Sequence, residues 1–570
     1  MTVNQRQITY TYDQLNQLTQ KSYPDTTAVN YTYDNDSRLT QVTDPTGTYQ
    51  FTFDNMGRLT GTTASYAFLT GRNFTTSYSY DAASNRTGFT DPENGATSYA
   101  YDTLNRLQTL TPPAAISGGS FGFGYDALSR RASLTRPNSV NTTYGYDNLS
   151  RLLSVTHAKG GVTLDGASYG LDNAGNRASK SDLYAGVTTN YGYDSIYELL
   201  SATQGAGTTE SYTYDAVGNR LSDLSGSGWS NNTSNELTSR PGVTYTFDYN
   251  GNTQTMVNSS GTATYNWDYE NRLTSIALPG SGGTVYFKYD PFGRRIYKSS
   301  SSGASVFAYD GDNLVEETNA MGTAVARYSQ GLNIDEPLAM LRSGATIYYQ
   351  ADGLGSLTSL SNTSGALTNT YTYNSFGNLT ASTGSVTNAF RYTGREWDPE
   401  TSLYYYRARY YDPQAGRFVG EDPVQFDSGI NFYDYVRNNP LIGVDPWGLS
   451  TLVFDRGTGK LHLFDKDNGW VRTCSAANNT DKTSKGPWPD GVYSYGYHKD
   501  HPADPNGSFG SYGVYVFKVP GRPGIGVHAG QANKGGPKHP TMGCIRTDDD
   551  CMKSIQDFTA TDPLTRIAVK

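Results

Sequence analysis

The chain has 570 residues, a formal charge of −9 and an abundance of tyrosine (47) and glycine (62). No part has the strong basic excess typical of nucleic-acid-binding proteins, and no apolar run reaches the roughly 18 residues that a membrane-spanning helix needs. All three cysteines and five of the six histidines follow residue 449, so the sequence predicts a repetitive acidic body joined to a small domain with reactive side chains.

A short motif recurs along residues 8–380. Its copies follow Tyr-x-Tyr-Asp-x-x-x-Asn-Arg-Leu-Thr, and most lie 20–25 residues apart. A fixed period of this length is typical of stacked repeat architectures. The chain opens inside a copy, at Tyr10, so we expect it to be the C-terminal piece of a longer product. Good copies begin at Tyr10, Tyr31, Phe51, Tyr78, Tyr99, Tyr144, Tyr191 and Tyr212.

Each copy predicts a β-hairpin. Alternating segments such as 97–101 are typical of strands, and the aspartate and asparagine that follow favour a turn because their short side chains bond to nearby backbone. Hairpins added edge to edge would form one long antiparallel sheet that curls on itself. We expect the recurring tyrosines and aspartates to serve packing and turns rather than ligand binding.

These copies resemble the YD repeats of the RHS family, in which the repeats form a spiralling β shell around a C-terminal cargo. The resemblance implies a mostly β, cage-like domain over residues 1–390. Residues 391–449 resemble the RHS core segment that precedes a variable toxin. The elements that carry this second resemblance are Arg391-Tyr392-Thr393-Gly394-Arg395, the run Tyr404–Pro413, Gly416-Arg417-Phe418, Asp422-Pro423 and Asp445-Pro446-Trp447-Gly448-Leu449.

In that family the core segment cuts itself with two aspartates. The resemblance assigns this role to Asp422 and Asp445 and places the cut between Leu449 and Ser450. One carboxyl of such a pair would hold a proton while the other activates water. The context Asp422-Pro423-Val424-Gln425 departs from the family pattern, and the alternative is that both Asp-Pro pairs are only turns.

Residues 450–570 predict a small, mainly β domain with one helix at about 548–558. Two of its cysteines, Cys474 and Cys551, could pair in an oxidising compartment or stay as thiols. The predicted strands are 451–455, 460–465, 470–474, 491–497, 512–519, 525–528 and 564–569.

The reactive candidates in this domain are a cysteine and a histidine. Cys544 stands shortly before the predicted helix, whose N-terminus favours a thiolate, and His528 ends a strand from which it could act as its base. Gly543 leaves room for a substrate carbonyl to approach, and the N–H of Gly543 or that of Cys544 could bind the oxyanion that forms from it.

The pattern His528…Thr541-x-Gly543-Cys544-Ile545-Arg546 resembles YkuD-type L,D-transpeptidases and their carboxypeptidase-like toxin relatives. The resemblance makes Cys544 the nucleophile and His528 its base, oriented by the Ala529 carbonyl. Met542 stands where many transpeptidases have histidine, and His539 could supply an imidazole nearby. Thr541 takes the family's Ser/Thr position, and Arg546 could bind a substrate carboxylate.

The implied function is cysteine-dependent L,D-carboxypeptidase or D-amino-acid exchange chemistry on peptidoglycan stem peptides, without a metal or cofactor. The implied protein is a delivered antibacterial effector that acts in the periplasm or cell wall of a target bacterium. Its further partners would be an immunity protein and secretion-system components, with no nucleic acid.

Two alternatives remain open. The first is a zinc peptidase that uses His498 and His501, with Asp504 and His528 as further ligand types, although this spacing matches no strong zinc pattern. The second is a secreted repeat protein whose C-terminal domain only binds.

Overall fold

The computed structural model describes residues 7–423 and 431–447, and beyond them the backbone of eight short strands together with Met552. The described chain is almost wholly β, as the sequence predicts. Short 3-10 turns occur at Tyr392–Gly394 and Val436–Asn438. No helix in these described parts is long and apolar enough to cross a membrane.

The first sheet is built from the N-terminal hairpins, and each strand pairs antiparallel with the next along the chain. Its strands β1–β19 are Thr9–Tyr12, Leu18–Ser22, Ala28–Tyr33, Leu39–Asp44, Gly47–Phe53, Leu59–Tyr66, Asn73–Tyr80, Arg86–Thr90, Ala96–Tyr101, Leu107–Thr111, Phe121–Tyr125, Arg131–Thr135, Asn141–Tyr146, Leu152–Lys159, Val162–Leu171, Arg177–Asp182, Val187–Tyr193, Leu199–Gln204 and Gly207–Ser211.

A small sheet and then a second large sheet follow. The small sheet contains β20–β22, at Thr213–Tyr214, Arg220–Asp223 and Gly226–Ser227. The second large sheet contains β23–β38, at Ser230–Asn231, Leu237–Arg240, Val243–Phe247, Thr253–Asn258, Gly261–Trp267, Leu273–Ala277, Thr284–Tyr289, Arg295–Ser300, Gly303–Asp310, Asn313–Asn319, Ala324–Gln330, Pro337–Arg342, Ala345–Ala351, Leu357–Ser361, Leu367–Tyr373 and Leu379–Thr383.

The prediction of edge-to-edge hairpins is confirmed, but the single continuous sheet is not. The ladder breaks between Ser211 and Ser230, where the strands shorten to between two and four residues. The first interruption lies at Tyr212, between β19 and β20, and the second lies between β22 and β23. The second coincides with the run Ser225-Gly226-Ser227-Gly228, which has little side chain to pack against neighbouring strands.

The aspartate of each repeat builds its turn as predicted. In the turn after β29, Asp290 Oδ1 accepts the backbone N–H groups of Phe292 and Arg294, both at 2.9 Å. Its Oδ2 accepts Arg294 Nε at 2.7 Å. Arg294 Nη1 then donates to the carbonyl of Gly311 at 2.8 Å, which ties this turn to the next one. Gly293 has φ +85°, which suits glycine.

The repeated tyrosines join neighbouring strands. The hydroxyl of Tyr125 donates to the Leu107 carbonyl at 2.9 Å, and that of Tyr146 donates to the Arg131 carbonyl at 3.0 Å. The guanidinium of Arg106 lies 4.6 Å from the Tyr125 ring centre. The packing and turn roles predicted for these residues are therefore confirmed.

The two large sheets share their core with the segment that follows them. Phe121 of the first sheet and Tyr348 of the second belong to one buried cluster. Tyr405 and Tyr410 pack with Phe287 of the second sheet in another. The segment itself forms a four-stranded sheet, β39–β42, at Glu396–Asp398, Leu403–Tyr406, Arg409–Asp412 and Arg417–Phe418.

Beyond residue 450 the described backbone forms an eight-stranded sheet in the order β45-β44-β43-β50-β46-β47-β48-β49. The seven predicted strands are confirmed, and Ile545–Arg546 adds one that the sequence did not predict. Met552 is helical and buried, and the rest of the predicted helix lies outside the described residues. Strands β43–β50 are Leu452–Asp455, Lys460–Phe464, Trp470–Ser475, Gly491–Lys499, Val514–Phe517, Gly526–His528, Ile545–Arg546 and Arg566–Val569.

Candidate functional site

Asp422 and Asp445 converge on one buried arginine. Arg409 opens β41, Asp422 follows β42, and Asp445 lies near the end of the core segment. The Arg409 Nη2 atom lies 2.9 Å from Asp422 Oδ2 and 3.4 Å from Asp445 Oδ2. Each aspartate is 1% exposed. The structure thus brings together the two carboxylates that the sequence paired.

The arginine is held rigidly between them. Its guanidinium carbon lies 3.6 Å from the ring centre of Phe418, and its Nη1 donates to the Phe432 carbonyl at 3.0 Å. The backbone N–H of Asp422 donates to the same carbonyl, also at 3.0 Å. One backbone oxygen therefore fixes both the arginine and the first aspartate.

Two carboxyl groups that contact the same guanidinium nitrogen can share one proton, because ionising both would place like charges side by side. One carboxylic acid beside one carboxylate can act as the acid and the base in the hydrolysis of an amide.

The chain just after Asp445 is held by the shell. Arg407 Nη1 donates to the carbonyl of Pro446, and its Nη2 donates to the Asp312 carbonyl at 3.1 Å. Both of its terminal nitrogens also contact the Asp335 carboxylate. The indole N–H of Trp447 donates to Asp312 Oδ2 at 3.2 Å. Leu449 and Ser450, the residues predicted to flank the cut, lie outside the described residues.

Another Asp-Pro pair in the same segment shows what a purely structural one does. Asp412, which precedes Pro413, accepts the N–H groups of Gln414 and Ala415 through Oδ1, at 2.8 and 3.2 Å. This is an ordinary aspartate turn. Asp422 and Asp445 differ because both face Arg409, whose role the sequence reasoning missed although the run 404–413 contains it.

In the C-terminal part, the described backbone places two candidate residues on adjacent strands. Strand β48, which ends at His528, runs parallel to β49, and His528 pairs in register with Arg546. His498 and Cys474 lie on strands β46 and β45. Cys544 immediately precedes β49 in the sequence. The candidates that lie outside the described residues are Ala529, His539, Thr541, Gly543, Cys544, His501, Asp504 and Cys551.

Comparison with known families identifies the repeat-built part of the chain. The Teneurin YD-shell model matches residues 176–441, and the RHS Repeat model matches residues 33–67 and 125–162. The fold is shared with the crystal structure of TcdB2-TccC3 (TM-score 0.65, 20% identity), in an alignment that covers 78% of this chain and 27% of that one.

Sequence relatives include bacterial toxins. The tRNA3(Ser)-specific nuclease WapA of Bacillus spizizenii is 34% identical over 168 residues, which are 28% of this chain and 7% of that protein. The double-stranded DNA deaminase toxin A of Burkholderia cenocepacia is 29% identical over 192 residues, covering 28% and 13% respectively. The chain thus matches only a small part of the length of either relative.

Proposed function

This chain belongs to the RHS/YD-repeat shell proteins, and from that premise we propose that it is a delivered toxin that cuts itself between Leu449 and Ser450. The cut would separate the shell from a C-terminal enzyme that acts on peptidoglycan. The observation that carries the self-cleavage proposal is the pair of buried aspartates on Arg409.

The proposed cleavage is a hydrolysis by the aspartate pair. The ionised carboxylate takes a proton from a water molecule, whose oxygen bonds to the carbonyl carbon of Leu449. The protonated carboxyl gives its proton to the nitrogen of Ser450 as the C–N bond breaks. The products are a Leu449 carboxylate and a Ser450 amine, and the proton taken from water returns the pair to its starting state. Arg409 keeps the two carboxyl groups together throughout.

The first test replaces one carboxylate with its amide. Asp445→Asn should abolish cleavage, because an amide can neither accept the proton of water nor share one with Asp422. Cell-free synthesis followed by denaturing electrophoresis and intact-mass measurement would show the full-length chain in place of two fragments.

The matched control is Asp412→Asn, which retains a turn-forming oxygen before Pro413 and should leave cleavage intact. A folded Asp445→Asn chain that still yields a fragment beginning at Ser450 would overturn the assignment.

For the released domain we propose L,D-carboxypeptidase or exchange chemistry. The Cys544 thiolate would attack the carbonyl between an L-centre and the following D-residue, and His528 would protonate the departing amine. Water would then hydrolyse the acyl-enzyme, or a D-amino acid would replace the lost residue. Support comes from the motif around Cys544 and from the register that sets His528 beside Arg546, two residues after the cysteine.

The substrate test is mass spectrometry of tetrapeptide-stem muropeptides incubated with the cleaved protein. Wild type should remove the terminal D-alanine or exchange it for an added D-amino acid, and Cys544→Ala should do neither. Cys474→Ala is the matched control and should retain activity. Chelator-sensitive activity that survives Cys544→Ala would favour the zinc alternative through His498 and His501, and an unchanged substrate would overturn the peptidoglycan proposal.

This function places the enzyme in the periplasm or cell wall of a target bacterium. Its producer would then need an immunity protein, since the same bonds occur in its own wall. The toxin relatives support delivery to another cell, while their nuclease and deaminase activities belong to those proteins.

A further inference from the structure

The segment before the proposed cut is anchored at two successive residues. The carbonyl of Pro446 accepts from Arg407, and the indole of Trp447 donates to Asp312. Arg407 also donates to the carbonyl of Asp312, so one residue of the shell holds both the arginine and the tryptophan. Trp447 is 6% exposed, which shows that its ring is packed into the fold as well as hydrogen-bonded.

From this geometry we propose that Arg407 and Trp447 are positioning residues that select the bond to be cut. This inference rests on the self-cleavage proposal and adds to it the source of its specificity. The aspartates supply the acid–base chemistry, whereas the anchored Pro446–Trp447 segment fixes which peptide bond reaches them.

Chain geometry links the anchor to the bond. The carbonyl of Leu449 lies two residues beyond Trp447, and an extended chain advances at most about 3.6 Å per residue. With Trp447 fixed, the combined length of Gly448 and Leu449 determines which peptide bond can reach the Asp422–Asp445 pair. If the anchor slipped by one residue, a neighbouring peptide bond would take its place.

Arginine suits the anchor position better than lysine. Its planar guanidinium presents five donors in a fixed fork and here serves two carbonyls and a carboxylate at once. Its own backbone is in the left-handed region, with φ +59°, and so is that of Asp335, with φ +57°. Such conformations cost energy in residues other than glycine and persist when surrounding contacts fix them.

The test measures where the chain is cut as well as how fast. In cell-free synthesis, Trp447→Phe keeps an aromatic ring but loses the bond to Asp312, and Arg407→Lys keeps the charge but loses the fork. Each should slow cleavage about 10- to 100-fold, as small misplacements of reacting groups do. Each should also yield C-terminal fragments that begin at residues other than Ser450. Intact-mass measurement identifies those ends, which a merely structural role would not shift.

The controls are a tryptophan and an arginine of the same segment that make no described contact with residues 445–447. Trp397 packs on Tyr404, and Arg417 bonds to Asn231 and Asn235. Trp397→Phe and Arg417→Lys should cut at the wild-type bond and rate.

The positioning proposal falls if Trp447→Phe and Arg407→Lys cut only before Ser450 at the wild-type rate. It also falls if the two controls slow equally, because that result would indicate general destabilisation. Cleavage by Asp445→Asn would instead overturn the underlying self-cleavage proposal, so the two failures are distinguishable.

Discussion

His157, the one histidine of residues 1–449, is fully enclosed between strands of both large sheets. Its Nε2 lies 3.0 Å from the carbonyl oxygen of Ala351, and its Nδ1 lies 2.7 Å from Thr142 Oγ1. Because Arg136 donates to that hydroxyl, the hydroxyl proton points to Nδ1, and the ring is neutral with its proton on Nε2. Burial and, after it, the positive charge of Arg136 lower the pKa of His157 to about 3. The negative charge of Asp352 acts in the opposite direction and raises the pKa.

Because of His157, the unfolding free energy of the shell depends on pH in a way that can be calculated. Above about pH 6.5 the ring is neutral in both folded and unfolded chains. Below that value the unfolded chain takes up a proton that the folded chain excludes, so stability falls as pH falls towards 3. Between pH 7.5 and 5.0, wild type should lose about 2 kcal/mol more unfolding free energy than His157→Gln.

Urea titrations of both proteins at the two pH values provide the measurement. The buried carboxyls of Glu198 and Glu316, whose pKa values burial raises to about 7, contribute with the opposite sign but are present in both proteins and cancel in the difference. Equal losses in the two proteins would contradict the assignment to His157.

At the scale of the element, the same turn recurs in different surroundings. The Asp290 side chain is 0% exposed, whereas that of Asp126, in an equivalent turn, is 26% exposed. Each accepts two backbone N–H groups and binds an arginine four residues on. The local bonding is therefore shared, and the environment alone differs.

That difference predicts unequal costs for one substitution. Asp290→Ala removes a buried carboxylate that accepts two part-buried N–H groups and binds Arg294, and it should lower the unfolding free energy by about 1–3 kcal/mol. Asp126→Ala should cost clearly less because water can reach its turn. Equilibrium urea unfolding of the two variants, followed by tryptophan fluorescence, compares them directly, and equal losses would show that burial does not set the cost.

At the scale of the whole molecule, the core segment is inseparable from the sheets. Buried Arg295, from the second sheet, bonds to Glu396 and Asp398 of the segment. Ion pairs such as Lys180 with Asp352 join the two large sheets. The proposed cut lies beyond these contacts, so it would leave the described core of the shell intact.

The sequence by itself determined the repeat unit. The period, the hairpin and the aspartate turn could be predicted because the bonds of a turn such as that of Asp290 join residues at most four positions apart. The strands after residue 450 were predictable for the same reason, since alternation and turn residues are local signals. The resemblance of residues 391–449 also named Asp422 and Asp445 as a pair.

Only the tertiary structure decided what lies between and around that pair. Arg409, Arg407 and Asp312 meet the end of the segment through long-range packing, and no local pattern in the chain specifies such a meeting. The two interruptions of the sheet, at Tyr212 and near Ser225–Gly228, could not be predicted for a related reason, because strand pairing depends on packing against neighbouring strands. The bonds of a turn form within a few residues, whereas the proposed cleavage site forms only when distant strands pack together.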